Sequence, residues 1–315
     1  MLNKNNCSSR RSFVKGIGMA TLTPLLQPFA FAAANKKHRQ QATHRLLSCN
    51  IRVALPEDDA AGVGWKARKE TCIKLMQRYK PDLICLQEVL KVQMDDLREG
   101  FPAWDAFGFD GPEMDAHAAG YHGIAKNPIM FSRERYEIRS GSTYWLSETP
   151  LLAGSQSWGT ARARHCNWVR LKDKQSGREF RVVNTHLDHI SQEAREKQTG
   201  VILTECAQYA KDFPQLFAGD FNSRADNPVM TLIKAGRWKD SYAAIHGEQD
   251  PGYTAHDFKG EAYGEELKAK NARNGRIDFI FSTGGITPKD SSIIKDKIDG
   301  RYPSDHYFMC ADVGM

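Results

Sequence analysis

Eight short apolar runs recur along this 315-residue chain, each five to eight residues long, and they limit the folds open to it. Runs of this length bounded by turn residues are typical of buried strands, whereas the longer amphipathic patterns at 65–79 and 191–211 predict helices. The runs at 167–171 and 180–187 are joined by a turn alone, which disfavours a purely parallel, doubly wound sheet. We therefore predict an α/β protein of packed mixed sheets with helices outside. The predicted strands cover residues 46–51, 82–87, 128–132, 167–171, 180–187, 215–219, 276–281 and 306–313.

Polar side chains stand beside six of these runs, where a strand ends or begins. Taken singly, such residues are typical of turns and caps, but six segments with the same chemistry indicate a shared site at the edge of a sheet. Carboxylate and amide oxygens without a nearby cysteine favour Mg²⁺ or Mn²⁺. Histidines near carboxylates suit the proton transfer and charge stabilisation of phosphoester hydrolysis. The candidates are Asn50, Glu88, His186, Asp188, Asp220, Asn222, Asp278, Asp305 and His306.

Two competing chemistries lack their sequence signatures. No G-x-S-x-G segment is present, which argues against a Ser-His-Asp hydrolase of the nucleophile-elbow type. None of the six cysteines after residue 34 forms a C-x-x-C pair, so a zinc or redox motif is unsupported. Cys49, Cys85 and Cys310 lie in apolar runs and are predicted to be small core side chains.

Residues 1–34 have the character of an export signal rather than of a folded element. They contain no acidic residue and carry Lys4, Arg10, Arg11 and Lys15. The segment "SRRSFVKG" resembles a twin-arginine signal, which predicts recognition by the twin-arginine translocase, cleavage after Ala34 or Ala32, and a periplasmic or secreted protein. A membrane anchor is the alternative. Because threonine, proline and glutamine interrupt the apolar run, we predict no transmembrane segment in the mature protein.

The charge balance argues mildly against a nucleic-acid partner. The whole chain carries a formal net charge of +6, and removal of the four basic residues of the signal lowers it to +2. A nearly neutral mature chain has no large excess of cations with which to bind a polyanion. No low-complexity linker or internal repeat divides residues 35–315, so we predict a single domain there.

Six short motifs occur in a defined order over roughly residues 45–313: "NIR", "QEV", "NTHLDH", "GDFN", "RIDFIF" and "SDH". In this order they resemble the metal-dependent endonuclease/exonuclease/phosphatase superfamily. The segments "GWKAR" (64–68), "TYWLSETP" (143–150) and "RHCNW" (164–168) further resemble an exported bacterial branch of that superfamily. The resemblance implies a four-layer αββα sandwich of two mixed sheets, with the active site where the sheet edges meet.

The same resemblance implies a metal site. Glu88 would be the principal ligand of Mg²⁺, with Mn²⁺ as the alternative, and Asn50 and Asp305 would stand in the metal shell. Arg164 would neutralise the phosphate. Asp188 is a further candidate for substrate binding, and Tyr144 is the candidate for the tyrosine that some branches place near the phosphate.

The catalytic roles implied by the resemblance fall on five residues. Asp220 would orient or deprotonate the attacking water, and Asn222 would hold the phosphate. His306 would act on the nucleophile or the phosphoryl oxygens, with Asp278 orienting one of the histidines. His186 would stabilise charge on the phosphorus centre. These roles predict an exported Mg²⁺-dependent phosphodiesterase or phosphomonoesterase; the alternatives are an exported nuclease acting on DNA or RNA and a non-catalytic binding domain on the same fold.

Overall fold

Two six-stranded sheets packed face to face form the centre of the protein. The computed structural model describes residues 42–111, 125–249, 251–270, 272 and 274–315, so the predicted signal at 1–34 lies outside the described residues. Sheet 1 has the strand order β11-β12-β1-β2-β4-β3, and sheet 2 has the order β5-β6-β7-β8-β10-β9. The strands of sheet 1 are β1 (Thr43–Asn50), β2 (Leu83–Gln87), β3 (Trp104–Phe107), β4 (Ile129–Ser132), β11 (Thr287–Ile294) and β12 (Phe308–Gly314). Those of sheet 2 are β5 (Tyr136–Trp145), β6 (His165–Asp173), β7 (Glu179–His186), β8 (Gln215–Asp220), β9 (Lys239–Asp240) and β10 (Asp278–Thr283).

Helices cover the outer faces of both sheets and complete four layers. On sheet 1, Leu47 and Ile84 belong to an apolar cluster with Leu75 of α2. On sheet 2, Phe217 clusters with Ile202 of α4 in the same way. The predicted αββα sandwich is therefore confirmed. The described helices are α1 (Pro56–Ala60), α2 (Trp65–Arg78), α3 (Lys91–Gly100), α4 (Gln192–Cys206), α5 (Pro228–Ala235), α6 (Ser241–His246) and α7 (Glu261–Ala269).

The eight predicted strands are all present, and the structure adds four others: β3, β5, β9 and β11. Each of these four is an edge strand of its sheet. An edge strand is partly solvated, so it need not contain a continuous apolar run. β11, for example, has the sequence TPKDSSII, with only two of its eight residues buried.

The predicted helix at 191–211 begins as expected but ends earlier. Ser191 is its N-cap, and the Ser191 hydroxyl accepts a hydrogen bond from the Ala194 N–H at 3.1 Å. The helix ends at Cys206, and turns and bends occupy residues 207–213 before Pro214, so the predicted last turn up to Lys211 is not helical.

Each sheet contains one parallel pair at its centre, and this arrangement positions the polar strand ends. β1 and β2 run parallel with Asn50 opposite Gln87, and β7 and β8 run parallel with His186 opposite Asp220. The carboxyl ends of parallel strands share one sheet edge, so both pairs deliver their last residues to the same end of the sandwich. The antiparallel strand β10 delivers its first residue, Asp278, opposite Asp220.

Gly219 allows β7 and β8 to approach closely just before the site. A Cβ at this position would lie 2.1 Å from the Thr185 carbonyl oxygen, and the φ of Gly219 is 152°. A side chain is therefore excluded there, which explains the glycine of "GDFN".

Two further findings concern the described residues. The six cysteines among them are all buried and unpaired, as Cys49, Cys85 and Cys310 were predicted to be. Within the same part of the chain, none of the helices combines the length and the apolar character that crossing a bilayer requires.

Candidate active site

Asn50 links the two sheets at the polar end of the sandwich. Its Nδ2 donates to Glu88 Oε1 at 3.1 Å and to Asp220 Oδ2 at 2.9 Å. Asn50 Oδ1 accepts the Arg52 N–H at 3.0 Å. In this arrangement the amide holds two carboxylates from different sheets side by side, and its oxygen is engaged by the backbone rather than offered to a cation.

Glu88 follows β2 directly and is held as a carboxylate. Its Oε2 accepts the Val53 N–H at 2.8 Å. Burial would raise the pKa of Glu88, but this hydrogen bond and the nearby His306 hold that pKa below its usual range. Glu88 has a φ of 65°, which is unfavourable for a residue with a side chain; Arg52 and Asn222, which line the same cavity, have φ values of 57° and 46°. Such backbone conformations are typical of functional sites that their surroundings hold in place.

Asp278 and His306 form a buried hydrogen-bonded pair next to Asp220. His306 Nδ1 lies 2.9 Å from Asp278 Oδ2, and His306 Nε2 lies 3.9 Å from Asp220 Oδ2. Burial alone would lower the pKa of His306, but Asp278, with help from Asp305 and Asp220, raises it well above the ordinary value. This environment favours the cationic form of the His306 ring.

Asp220 has a carboxyl group whose pKa lies close to neutral pH. Burial and the proximity of Asp278 raise the pKa of Asp220 to about 7, although the His306 cation opposes the shift. Its Oδ1 accepts the Asn222 N–H at 2.9 Å. A group whose pKa lies near the working pH is suited to accept and release a proton.

His186 stands on the other side of Asp220 and is neutral. Its Nε2 lies 3.4 Å from Asp220 Oδ2 and accepts a hydrogen bond from Asn222 Nδ2 at 3.0 Å. Burial and the Arg164 cation lower the pKa of His186 well below the ordinary value. Asn222 Nδ2 also donates to the Leu187 carbonyl at 3.0 Å, so both amide N–H groups of Asn222 are engaged within the protein. This geometry gives Asn222 a role in orienting His186, and the predicted contact of its amide with phosphate would require one of these two hydrogen bonds to break.

Asp305 lines the cavity from the segment before β12. Its carboxylate lies 3.6 Å from Arg52 Nη1 and accepts a hydrogen bond from the Ser304 hydroxyl at 3.1 Å. Burial and the neighbouring Glu88 raise the pKa of Asp305. A carboxyl group whose ionisation a neighbouring carboxylate disfavours is a common setting for a cation.

The donor atoms at this end of the sandwich fit a divalent cation. Glu88 and Asp305 supply carboxylate oxygens, the ligands that Mg²⁺ prefers, and Asn50 would stand beside the cation by holding Glu88 Oε1 through its Nδ2. A second set has ligand atoms within 4.8 Å of one another and consists of Asp220, Asp278 and His306. In that second set the histidine already shares a hydrogen bond with its carboxylate, and it offers nitrogen rather than oxygen. The donor chemistry therefore favours the Glu88 side for Mg²⁺.

A cavity of about 260 Å³ opens over these residues, and one wall of it is cationic. Arg162, Arg164 and His189 line this wall, and Arg164 Nη2 donates to His189 Nδ1 at 3.2 Å.

Sequence reasoning identified Arg164 and missed Arg162 and Arg52. The spacing of "RAR" was the available signal for Arg162, since residues two apart in an extended segment share one side. The described residues that line the cavity are Arg52, Val53, Leu55, Glu88, Ala125, Arg162, Ala163, Arg164, His186, His189, Asp220, Asn222, Asp305 and His306.

Asp188 lies beneath the cationic wall and is not among the residues that line the cavity, so the structure does not support its predicted contact with substrate. The side chain is fully buried. Its oxygens accept hydrogen bonds from the Thr160 hydroxyl and from the N–H groups of Ala161, Ile190 and Ser191, at 2.7–2.9 Å. Against the effect of burial, these hydrogen bonds lower the pKa of Asp188. Asp188 thus ties the segment that leads to Arg162 and Arg164 to the segment that carries His189.

Tyr144 lies apart from the cavity and is likewise not brought into contact with the predicted site. It belongs to the apolar cluster between sheet 2 and its helices, together with Leu146, Cys166 and Val183. Burial raises the pKa of Tyr144 well above its ordinary value, which is the behaviour of a core tyrosine. β5 pairs Tyr144 with Cys166, which belongs to the same apolar cluster on the helix side of sheet 2.

Comparison with known proteins agrees with this geometry. A family model described as "Endonuclease/Exonuclease/phosphatase family" matches residues 47–306. Nocturnin from Drosophila melanogaster is 23% identical over 288 residues, covering 82% of this chain and 43% of Nocturnin, so the chain spans less than half of that relative.

Solved structures share the whole sandwich. An endonuclease/exonuclease/phosphatase from Bacteroides vulgatus superposes with a TM-score of 0.74 at 28% identity, covering 87% of this chain and 100% of that one. A mannosyl-6-phosphatase from Bacteroides thetaiotaomicron superposes with a TM-score of 0.72 at 24% identity, covering 86% and 100%. The family match spans most of the chain, and the polar strand ends meet in one cavity. The chain therefore belongs to the endonuclease/exonuclease/phosphatase family, whose members are metal-dependent hydrolases of phosphoester bonds.

Proposed function

We propose that this chain is an exported, Mg²⁺-dependent phosphoesterase that hydrolyses a phosphomonoester or phosphodiester by attack of an activated water. The observation that carries the proposal is the setting of Asp220. Its carboxylate stands between a neutral histidine, His186, at 3.4 Å and a cationic one, His306, at 3.9 Å. It is joined through Asn50 to Glu88, the candidate metal ligand.

The residues divide the work of hydrolysis as follows. Asp220, whose pKa is about 7, accepts the proton of the attacking water. His306, held cationic by Asp278, stabilises the negative charge that develops on the phosphoryl oxygens. Glu88 and Asp305 would hold a divalent cation, which when bound would supply Lewis-acid stabilisation of the same charge. Arg162 and Arg164, which line the same cavity, bind the phosphate group.

The cavity supports a compact substrate. Its volume of about 260 Å³ admits a phosphate group with a small leaving group. Longer nucleic acid would have to extend beyond it, and the near-neutral mature chain offers no large excess of positive charge to hold such a polymer. We therefore expect a small phosphate ester as the substrate, with a nuclease as the alternative.

The test is a substrate and metal screen on purified residues 35–315. We expect hydrolysis of p-nitrophenyl phosphate or bis-p-nitrophenyl phosphate with Mg²⁺ or Mn²⁺, and loss of that activity in EDTA. Glu88→Gln removes a ligand charge and is expected to abolish turnover, whereas Glu70→Gln, an exposed glutamate of α2, is the matched control. Turnover that persists in EDTA would refute the metal assignment, and a strong preference for DNA or RNA over both small esters would move the proposal to a nuclease.

Export is proposed from the amino-terminal motif alone. "SRRSFVKG" supports recognition by the twin-arginine translocase and a periplasmic or secreted location. Replacement of Arg10 and Arg11 by lysine is expected to leave the precursor in the cytoplasm, measured by cell fractionation. Normal export of that variant would point to the general secretory route.

A further inference from the structure

Arg68 is a buried arginine that the hydrolytic machinery described above does not use. Arg68 and Arg181 are the two largest fully buried side chains among the described residues. Arg68 ends the segment "GWKAR" and lies in the first turn of α2. A buried guanidinium normally pairs with a carboxylate, as Arg181 does with Glu205. Arg68 has a different set of partners.

The Arg68 guanidinium binds backbone carbonyls from three separate segments. Nε donates to the Val63 carbonyl at 3.0 Å, and Nη2 donates to the Arg52 carbonyl at 2.7 Å. Nη1 donates both to the Pro303 carbonyl at 3.0 Å and to the Ile51 carbonyl.

Two aromatic rings complete the environment of this guanidinium. Its central carbon lies 5.1 Å from the Trp65 ring centre and 5.7 Å from that of Phe258. Both distances are within the range of a cation–π contact. The group is therefore oriented by carbonyls and rings, and it remains a net positive charge close to the acidic cluster.

Two of the three segments bound by Arg68 lie next to the candidate metal ligands: one holds Glu88 through a backbone N–H, and the other carries Asp305. The loop after β1 supplies the Val53 N–H that holds Glu88 Oε2 at 2.8 Å. Pro303 stands two residues before Asp305, whose carboxylate faces Arg52 at 3.6 Å. The Arg68 guanidinium thus joins the loop that fixes Glu88 to the loop that carries Asp305.

We infer that Arg68 is a positioning residue for the metal site: by binding both loops it sets the separation of Glu88 and Asp305. This inference rests on the proposed function, because it assumes that the two carboxylates hold one divalent cation. Arginine suits the task since its planar fork directs five N–H groups to several acceptors at once, whereas a lysine has three N–H groups on a single atom. Groups that orient metal ligands typically change metal affinity 10–100-fold when they are altered.

The experiment compares two buried arginines. Arg68→Lys and Arg181→Lys are made in residues 35–315, and binding of Mn²⁺ is measured by titration calorimetry in the absence of substrate. Arg68→Lys is expected to weaken Mn²⁺ binding by about tenfold or more. Arg181→Lys is expected to lower the melting temperature and leave the Mn²⁺ dissociation constant unchanged, because Arg181 lies between Trp168 and Tyr209 on the helix side of sheet 2.

The outcomes separate this inference from the proposed function. If the wild type binds Mn²⁺ and Arg68→Lys binds it equally well, Arg68 is merely structural and the inference is overturned. If the wild type binds no divalent cation, the proposed function fails and the inference fails with it. If Arg68→Lys does not fold, Phe258→Leu decides the question, because Phe258 is partly exposed and contacts the same guanidinium. We expect that variant to weaken Mn²⁺ binding at least about twofold through the loss of the cation–π contact, and an unchanged dissociation constant would overturn the inference.

Discussion

The space between the two sheets has an apolar end and a polar end, and the same strands build both. Along the inner face of β7 the side chains are Phe180, Val182, Asn184 and His186, in that order. Phe180 and Val182 belong to the apolar cluster between the sheets, whereas His186 lines the active-site cavity. The inner faces of the other central strands change in the same direction, as in Leu46, Ser48 and Asn50 of β1 and Leu216, Ala218 and Asp220 of β8.

The two ends are specified by different physical interactions. At the apolar end, non-directional burial holds the sheets together, so side chains of similar volume can replace one another. At the polar end, directional hydrogen bonds fix which groups meet. Asn184 Nδ2 donates to the carbonyls of Leu86, Asn127 and Pro128 at 2.8–3.1 Å, and its Oδ1 accepts from Gln87 Nε2 at 2.8 Å. The apolar end thus supplies cohesion, while the polar end sets the register on which the site depends.

The largest expected effect is that of Asp220→Asn at the polar end, which should lower activity and raise stability. Asp220→Asn should lower kcat by at least about a hundredfold, because the proposed proton acceptor is lost. The pKa of Asp220 is raised to about 7 in the folded protein, so its ionisation destabilises the fold progressively from about pH 4 to pH 7 and fully above that range. In metal-free protein at pH 8, the uncharged asparagine should therefore also raise the free energy of unfolding by about 4 kcal/mol. Urea unfolding and steady-state kinetics on the same samples test both statements. A destabilised variant with normal kcat would contradict the proposal that the Asp220 carboxylate serves catalysis and destabilises the fold.

A second prediction concerns the amides beneath the site. Asn184→Ala should lower the free energy of unfolding by about 3 kcal/mol, because three buried carbonyls lose a donor. It should also lower kcat, since Asn184 joins the strands that carry Glu88 and His186. Thermal unfolding and kinetics measure the two effects. A loss of stability without any loss of kcat would show that the amides act only as structural contacts.

The apolar end should show the converse behaviour. Val182→Ala removes buried methyl groups two residues from Asn184 and should lower the free energy of unfolding by about 2 kcal/mol. Because Val182 lies between apolar side chains, kcat should stay within about twofold of the wild type. A large fall in kcat in this variant would mean that the two ends are not separable.

The smallest expected effect is a pH dependence at the apolar end. Burial, reinforced by Arg135 and opposed by Asp173 and Asp82, lowers the pKa of His44 to about 4. His44 Nδ1 is hydrogen-bonded to the Tyr136 hydroxyl at 2.7 Å. The unfolded state binds the proton more readily, so the contribution of His44 is present above its ordinary pKa of about 6.5 and is lost as the pH falls toward 4.

The test is urea unfolding at two pH values. Between pH 7 and pH 5.5 the wild type should lose about 1 kcal/mol of unfolding free energy through His44. His44→Gln should lack this component of the pH dependence. If the unfolding free energy of the two proteins depends on pH in the same way, His44 does not contribute to that dependence and the prediction is wrong.

The sequence predicts the central strands of the two sheets better than the strands at the sheet edges. All eight strands found from apolar runs have neighbours on both sides, and all four strands that were missed are sheet edges. A strand between two neighbours faces a helix layer on one side and the other sheet on the opposite side, which requires apolar residues on both faces. β5 at the edge has a half-exposed middle and a register shift between Ile138 and Ser140, so its pattern resembles that of a loop.

The polar strand ends were predictable because their residue types conflict with burial. Asn50, Glu88, His186, Asp220 and His306 meet at one end of the sandwich, as their positions beside apolar runs indicate. Their individual roles remain predictions. Asp188 and Tyr144 were predicted to contact substrate, but neither lines the cavity. A motif specifies a residue type and not the direction of its side chain: the Asp188 carboxylate accepts hydrogen bonds from backbone N–H groups, and Tyr144 faces the helices.

The most direct test of the central claim is the double-mutant cycle of Asp220→Asn and His306→Ala. We propose that both residues act on one step of hydrolysis, the attack of the activated water. On the best substrate from the screen, with folding confirmed by circular dichroism, each single variant should lower kcat by at least about a hundredfold. The double variant should be hardly slower than the slower single variant, since two groups that serve one step are strongly non-additive. Multiplicative losses in the double variant, or near wild-type kcat in either single variant, would contradict the account.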